Sequence, residues 1–182
     1  MRGSAKPDRL PSRGGTYILL IHVCPEVDLT AGRLGRIILA DGCYAYVGSA
    51  QGAGGLAARI SRHLAPVKRL HWHIDALTSA APVVSIWYVA GDDRLECRWA
   101  QILAGHPGVE APAPGFGSSD CKCRTHLFRL LLPEMEPLYQ ALGKPQRLLL
   151  PGSVPVEQRN QNETQPQRCD LLAREADQNL VH

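Results

Sequence analysis

Apolar residues occur in short runs separated by glycine and proline, and their spacing changes along the chain. Tyr17 to Val23 is a compact β-prone run stopped by Pro25. Gly32 to Ala40 followed by Gly42 to Val47 reads as a hairpin turning at Asp41-Gly42, a dipeptide suited to tight reversals. A helix is predicted over Leu56–Leu64, where Leu56, Ile60 and Leu64 recur every fourth residue and Pro66 ends the pattern. Arg59 and His63 share the neighbouring stripe of that helix. A second short helix is expected over Trp72 to Ser79 and a strand over Val83–Ala90. A third helix begins at Asp92-Asp93, whose acids favour a helix N-terminus, and runs to about Ala104. Residues 105–120 form a loop rich in Pro, Gly and Ser, and Thr125–Leu132 returns as a β-prone run.

These elements predict one folded domain over residues 14–132. Residues 1–13, rich in Arg, Pro, Ser and Gly, are expected to be a flexible N-terminus. Past Pro133 only Leu138–Leu142 suggests a helical turn. The stretch from Pro155 to Gln167 is polar and without periodicity, so 133–182 is expected to be a largely disordered extension.

The 182 residues suffice for one domain with a real core. No apolar run approaches the roughly 20 residues that cross a bilayer, and no secretory pattern opens the chain, so a cytoplasmic protein without a membrane role is expected. Net charge is +3. Residues 1–132 carry 15 Lys and Arg against 10 Asp and Glu, while 133–182 carry 5 against 7. A basic domain with an acidic extension is compatible with nucleic-acid binding and does not establish it. The six cysteines are expected to be reduced, with Cys24, Cys43 and Cys97 acting as small buried hydrophobes.

Candidate chemistry gathers around two triplets, Gly15-Thr16-Tyr17 and Tyr46-Val47-Gly48. A strand tyrosine is ordinarily a packing residue; the adjacent Gly48 permits close backbone approach, as a phosphate or a sharp strand exit requires. Arg59 can donate paired hydrogen bonds to phosphate oxygens, and His63 can hold or move a proton. On an exposed helix both would merely be solvated, as Arg62 is expected to be. Glu96 reads as a surface acid near a helix N-terminus, or as the single carboxylate that suits a well-hydrated Mg2+.

In order, the two triplets, Arg59-x-x-x-His63 and Glu96 resemble the GIY-YIG nuclease superfamily. His71-Trp72-His73-Ile74-Asp75 and Gly115-Phe116-Gly117-Ser118-Ser119-Asp120-Cys121 look like a poorly characterised branch of it, sometimes fused to endonuclease III-type glycosylases. The resemblance covers roughly residues 14–130. It implies an α/β (α+β) fold with a small mixed, mainly antiparallel sheet and flanking helices. It further implies hydrolysis of DNA phosphodiesters in DNA repair, beside a DNA glycosylase in some arrangements. By the same resemblance Tyr17, Tyr46, Arg59 and His63 are the catalytic set, with either tyrosine activating water, and Glu96 holds one Mg2+ or Mn2+. Gly48, Ser49, His73, Ser118 and Ser119 are expected to line the substrate cleft. Three departures stand out: Ser49 replaces the lysine common after the second triplet, the usual late asparagine lacks a counterpart, and an extra hairpin over Gly32–Ala40 lies between the triplets. The alternative is therefore a catalytically inactive nucleic-acid-binding module with the same fold.

His71, His73 and Asp75, with Cys121-x-Cys123-x-x-His126, contain enough ligands for zinc, but the spacing differs from that of ordinary zinc fingers. A zinc-stabilised interaction domain ranks last, and zinc is not expected.

Overall fold

The computed structural model describes residues 10–132 and 135–150. Its centre is β1 (Gly15–Val23), and both neighbours, β4 (Gly42–Ser49) and β5 (Val83–Ala90), pair with it antiparallel. Outside them lie β7 (Leu127–Leu130), then β6 (Val109–Glu110), on the β4 side, and β8 (Gln146–Leu149) on the β5 side. All pairings in this six-stranded sheet are antiparallel.

Helices cover both faces, which explains why β1 is a continuous apolar run and not an alternating one. Tyr17, Leu19 and Ile21 face one layer, where α1 (Gly55–Leu64) and α2 (His73–Ala80) contribute Leu56, Ile60, Ile74 and Leu77. Ile18 and Leu20 face the other, closed by Trp99 and Leu103 of α3 (Glu96–Gly105) and Leu138 of α4 (Glu136–Ala141). Each of these leucines and isoleucines contributes about 1.5–3 kcal/mol by leaving water. The expected α+β architecture, a mainly antiparallel sheet with flanking helices, is the observed one.

Several boundaries differ from expectation. The hairpin is β2 (Val27–Thr30) with β3 (Arg36–Leu39), a separate two-stranded sheet; Asp41-Gly42 instead leads into β4, which pairs elsewhere. Asp28 and Arg36 fasten that hairpin with a bidentate ion pair on its exposed side. Residues 10–13 are packed and not free: Leu10 is buried, and Arg13 and Pro11 carbonyls accept from the Leu56 and Ala57 amides at the start of α1. The fold also continues past residue 132. Leu138 and Leu142 are buried, and β8 extends the sheet to Leu149, with Arg147 stacked on Tyr139 and Trp87. The remainder of the expected disordered extension, 151–182, lies outside the described residues, as do 1–9. Among the described residues no helix is long and apolar enough to cross a membrane.

Candidate active site

β1 and β4 set the two tyrosines side by side. Their register pairs Tyr17 with Gly48 and Leu19 with Tyr46, so both phenols emerge on the α1 face. Gly48 is obligatory here: a Cβ at that position would lie 2.4 Å from Cζ and the hydroxyl of Tyr17. Gly117 plays a similar part on the opposite wall, where a Cβ would come within 2.7 Å of the Tyr46 ring. The two glycines thus make room for rings that lie far from them in sequence, Gly48 for Tyr17 and Gly117 for Tyr46.

One cavity of about 480 Å³ opens over these rings. Its walls include Tyr17, Tyr46, Gly48, Ser49, Arg59, His63, His73, Glu96 and Ser119. The five residues expected to do chemistry therefore share one concavity. Ser118 is the exception: it is buried, and its carbonyl accepts from the Cys121 amide within the loop, so it forms no part of the wall. Asp120, from the loop expected to border the cleft, lines it too, as do His71 and Arg94, which sequence did not single out.

The strongest organisation lies behind the wall. The Tyr17 hydroxyl is 2.7 Å from Nε2 of His63, which is 1% exposed. Nδ1 of His63 faces Asp75 Oδ1 at 3.6 Å, an electrostatic contact longer than a hydrogen bond. The neighbouring carboxylate assigns the imidazole proton to Nδ1, so that Nε2 accepts from the Tyr17 O–H. Burial holds His63 below the usual histidine range despite Asp75, keeping the ring neutral. Burial likewise drives the Tyr17 phenol well above its ordinary range, with Tyr46 adding to the effect and Arg59 opposing it. Tyr46 is raised too, by burial and then by Glu96. Neither phenol ionises by itself near neutrality; Tyr17 alone of the two is hydrogen-bonded to a base.

Asp75 is the hub of this arrangement, and sequence offered it only as a possible zinc ligand. It is fully buried, yet it accepts from Arg62 through both oxygens at 2.7 and 3.0 Å. The amides of His71 and Trp72 donate to Oδ2 at 2.8 and 2.9 Å, closing the first turn of α2. Burial alone would raise its carboxyl; the surrounding His63, Arg62 and backbone donors win and hold it far below the carboxylate range. Arg62 is accordingly no solvated bystander. It pairs with Asp75 and stacks 4.1 Å from the Trp72 ring, on which Arg59 also stacks at 4.2 Å. Trp72 is thus a platform for two guanidinium groups. Arg59 has no carboxylate partner among the described residues, so its charge is available to the cleft.

Glu96 is tied to the same strand as Tyr17. Thr16, fully buried, accepts from the Leu95 amide at 3.2 Å and so caps α3 just ahead of Glu96; the helix begins there and not at Asp92-Asp93. Oε1 of Glu96 lies 3.2 Å from Nδ1 of buried His126, while the residue borders the cavity. Glu96 and Asp120 provide hard oxygen donors at the cavity wall, which fits a hydrated Mg2+ or Mn2+ needing few protein ligands. His73 accepts from the Gly117 amide through Nδ1 at 3.2 Å, joining α2 to the late loop.

The cysteines depart from expectation. Cys24 is exposed, and Cys97 lies against Cys121, Cys123 and His126, not in apolar packing. Cys97, Cys121 and Cys123 are free thiols, whereas buried Cys43 is disulfide-bonded.

A family model described as Domain of unknown function DUF123 matches residues 16–144, which spans the sheet from β1 through α4. No curated protein and no solved structure matches the chain.

Proposed function

Because the chain belongs to the DUF123 family, whose domain is of unknown function, its activity must be argued from the cleft, and we propose a metal-dependent endonuclease that hydrolyses DNA phosphodiester bonds. In this reading the chain is a divergent GIY-YIG nuclease acting in DNA repair, with a DNA glycosylase as the natural supplier of damaged substrate. The observation that carries it is the convergence of Tyr17, Tyr46, Arg59, His63 and Glu96 on one cavity, with Tyr17 hydrogen-bonded to His63.

The chemistry follows from that order of groups. The Tyr17 oxygen accepts a proton from the attacking water while its own proton passes to Nε2 of His63. Asp75 stabilises the imidazolium so formed. Arg59, held over the Trp72 ring, donates to the phosphate oxygens and offsets the charge that grows in the pentacovalent transition state. Glu96 would hold the divalent cation, which when bound supplies Lewis-acid stabilisation of the leaving oxygen. Between the candidate tyrosines, the hydrogen bond to His63 favours Tyr17 as the proton acceptor.

Incubating the full chain with branched, flapped and abasic DNA in Mg2+ or Mn2+ tests the proposal. Metal-dependent nicking is expected, with loss in Arg59→Ala and Glu96→Ala; cleavage unchanged in both variants would overturn it. Ser49 on the cavity wall, where related nucleases carry lysine, favours a second reading, an inactive DNA-binding module. Salt-sensitive binding without cleavage would select that one.

A further inference from the structure

Beside the cleft, on the far side of Glu96, three thiols and an imidazole meet in a way the proposed hydrolysis does not use. Cys97 comes from the first turn of α3; Cys121, Cys123 and His126 come from the segment that leads into β7. One donor atom from each lies within 4.8 Å of every other. Four ligands around zinc sit about 2.0–2.3 Å from the ion, which puts neighbouring donors roughly 3.5–3.8 Å apart. The cluster thus needs to contract by no more than about 1 Å, a rotamer adjustment. His126 Nε2 and Cys121 Sγ, at 3.4 Å, already have that separation.

The surroundings match the donor set. His126 is 1% exposed, and its Nδ1 has no hydrogen bond of good geometry, although Glu96 Oε1 lies 3.2 Å away. A histidine that ligates through one nitrogen commonly gives its other N–H to a carboxylate, which fixes the ring. Nε2 towards the thiols and Nδ1 towards Glu96 is that arrangement. The backbone holding the ligands is firmly built. Gly115 and Arg124 bridge the loop at 2.7 Å, the His126 amide donates to Phe116 at 2.7 Å, and the buried Thr125 hydroxyl donates to Ala113. The His126 carbonyl in turn accepts from the Val47 amide, next to Tyr46.

We propose that Cys97, Cys121, Cys123 and His126 form a structural zinc site that pins the late loop to α3 and orients Glu96 through His126. Three thiolates and one imidazole are soft, closed and tetrahedral, which selects Zn2+ over the hard cation expected at the cleft. Binding replaces the thiol protons with the metal, and no oxidant is required. The site meets the cleavage chemistry only at Glu96, and zinc content is read without any cleavage assay, so loss of zinc binding and loss of nuclease activity are distinguishable.

The test is metal analysis of the purified full chain together with alkylation mapped by mass spectrometry. About one zinc per chain is expected, with Cys97, Cys121 and Cys123 protected from alkylation until a strong chelator is added. Reconstitution with Co2+ should give the intense visible bands of a tetrahedral thiolate site. Cys123→Ser should retain zinc at least about 10-fold more weakly, and Glu96→Ala about 10-fold more weakly through the loss of its partner contact to His126. A folded, reduced chain that takes up neither metal would overturn the site. So would thiols that alkylate as fast with zinc present as after chelation, or a disulfide among the three. If the serine variant fails to fold, the chelator-dependent alkylation of the unaltered chain decides alone.

Discussion

Replacing Asp75 by asparagine changes almost no volume but disturbs the donors converging on this buried carboxylate. Four hydrogen bonds, two from Arg62 and one each from the His71 and Trp72 amides, end on its two oxygens. An amide has one acceptor oxygen. Placed where Oδ2 stands, it keeps three of these bonds and turns its NH2 towards Nη1 of Arg62 and Nδ1 of His63. Hydrogen bonds to a charged group contribute about 1.5–3 kcal/mol, and Arg62 is 30% exposed, which discounts its share. A destabilisation of about 2–3 kcal/mol follows, or roughly 5–10 °C in Tm for a domain of this size. The asparagine also gives Nδ1 a donor, so the His63 proton moves to Nε2 and the bond to Tyr17 reverses. In serine hydrolases the equivalent tautomer error costs up to about 10⁴ in turnover. At 3.6 Å the coupling here is looser, and a fall of at least about 10-fold is expected. The sign with pH is fixed: Asp75 is depressed in the fold, so its contribution is complete well above the unfolded value of about 3.9 and is lost as pH falls. Denaturant unfolding of both proteins should show the stability gap narrowing by about 1 kcal/mol between pH 5 and pH 3. Equal stability at pH 5, or a gap that does not change, would refute the role given to Asp75.

Other perturbations probe separate parts of the cleft. Gly48→Ala must displace the Tyr17 ring; a stability cost of about 1–3 kcal/mol and a cleavage loss of about 100-fold are expected, read by thermal melts and nicking rates. His63 is held below the usual range by burial, so its neutral, accepting form persists above that lowered value. The rate should stay flat through neutrality and fall only below about pH 6.5; a falling limb centred above pH 7 would contradict this. Trp72→Ala removes the surface on which Arg59 and Arg62 stack. Two such contacts at about 0.5–1 kcal/mol each predict a weaker DNA affinity and a lower melting temperature, measured by fluorescence anisotropy and calorimetry.

Local signals revealed more of the scaffold than of its wiring. The run from Tyr17 to Val23, the four-residue stripe Leu56, Ile60 and Leu64, and the strand Val83–Ala90 were legible because periodicity and Pro or Gly punctuation act over neighbouring residues. β8 was not, because Gln146–Leu149 is a short half-buried edge strand whose identity comes from pairing with β5. The hairpin was misplaced because Asp41-Gly42 has turn chemistry while the partner of β3 lies upstream, at Val27–Thr30. At the site, motif order brought out the groups facing the cavity. Asp75 and Arg62 stayed hidden because their roles arise only when α1 and α2 pack together. Its place three residues after Trp72, reaching back to that amide, was the one local hint. Cys97 likewise gains its neighbours only through the approach of α3 to the late loop.

Single-turnover cleavage of branched DNA by the full chain and by Tyr17→Phe, with binding measured in parallel, isolates the role given to the Tyr17 hydroxyl. The variant, which loses one buried oxygen and keeps the ring against Gly48, should bind as before and cleave at least about 100-fold more slowly. Cleavage by Tyr17→Phe at the rate of the unaltered chain would contradict that role.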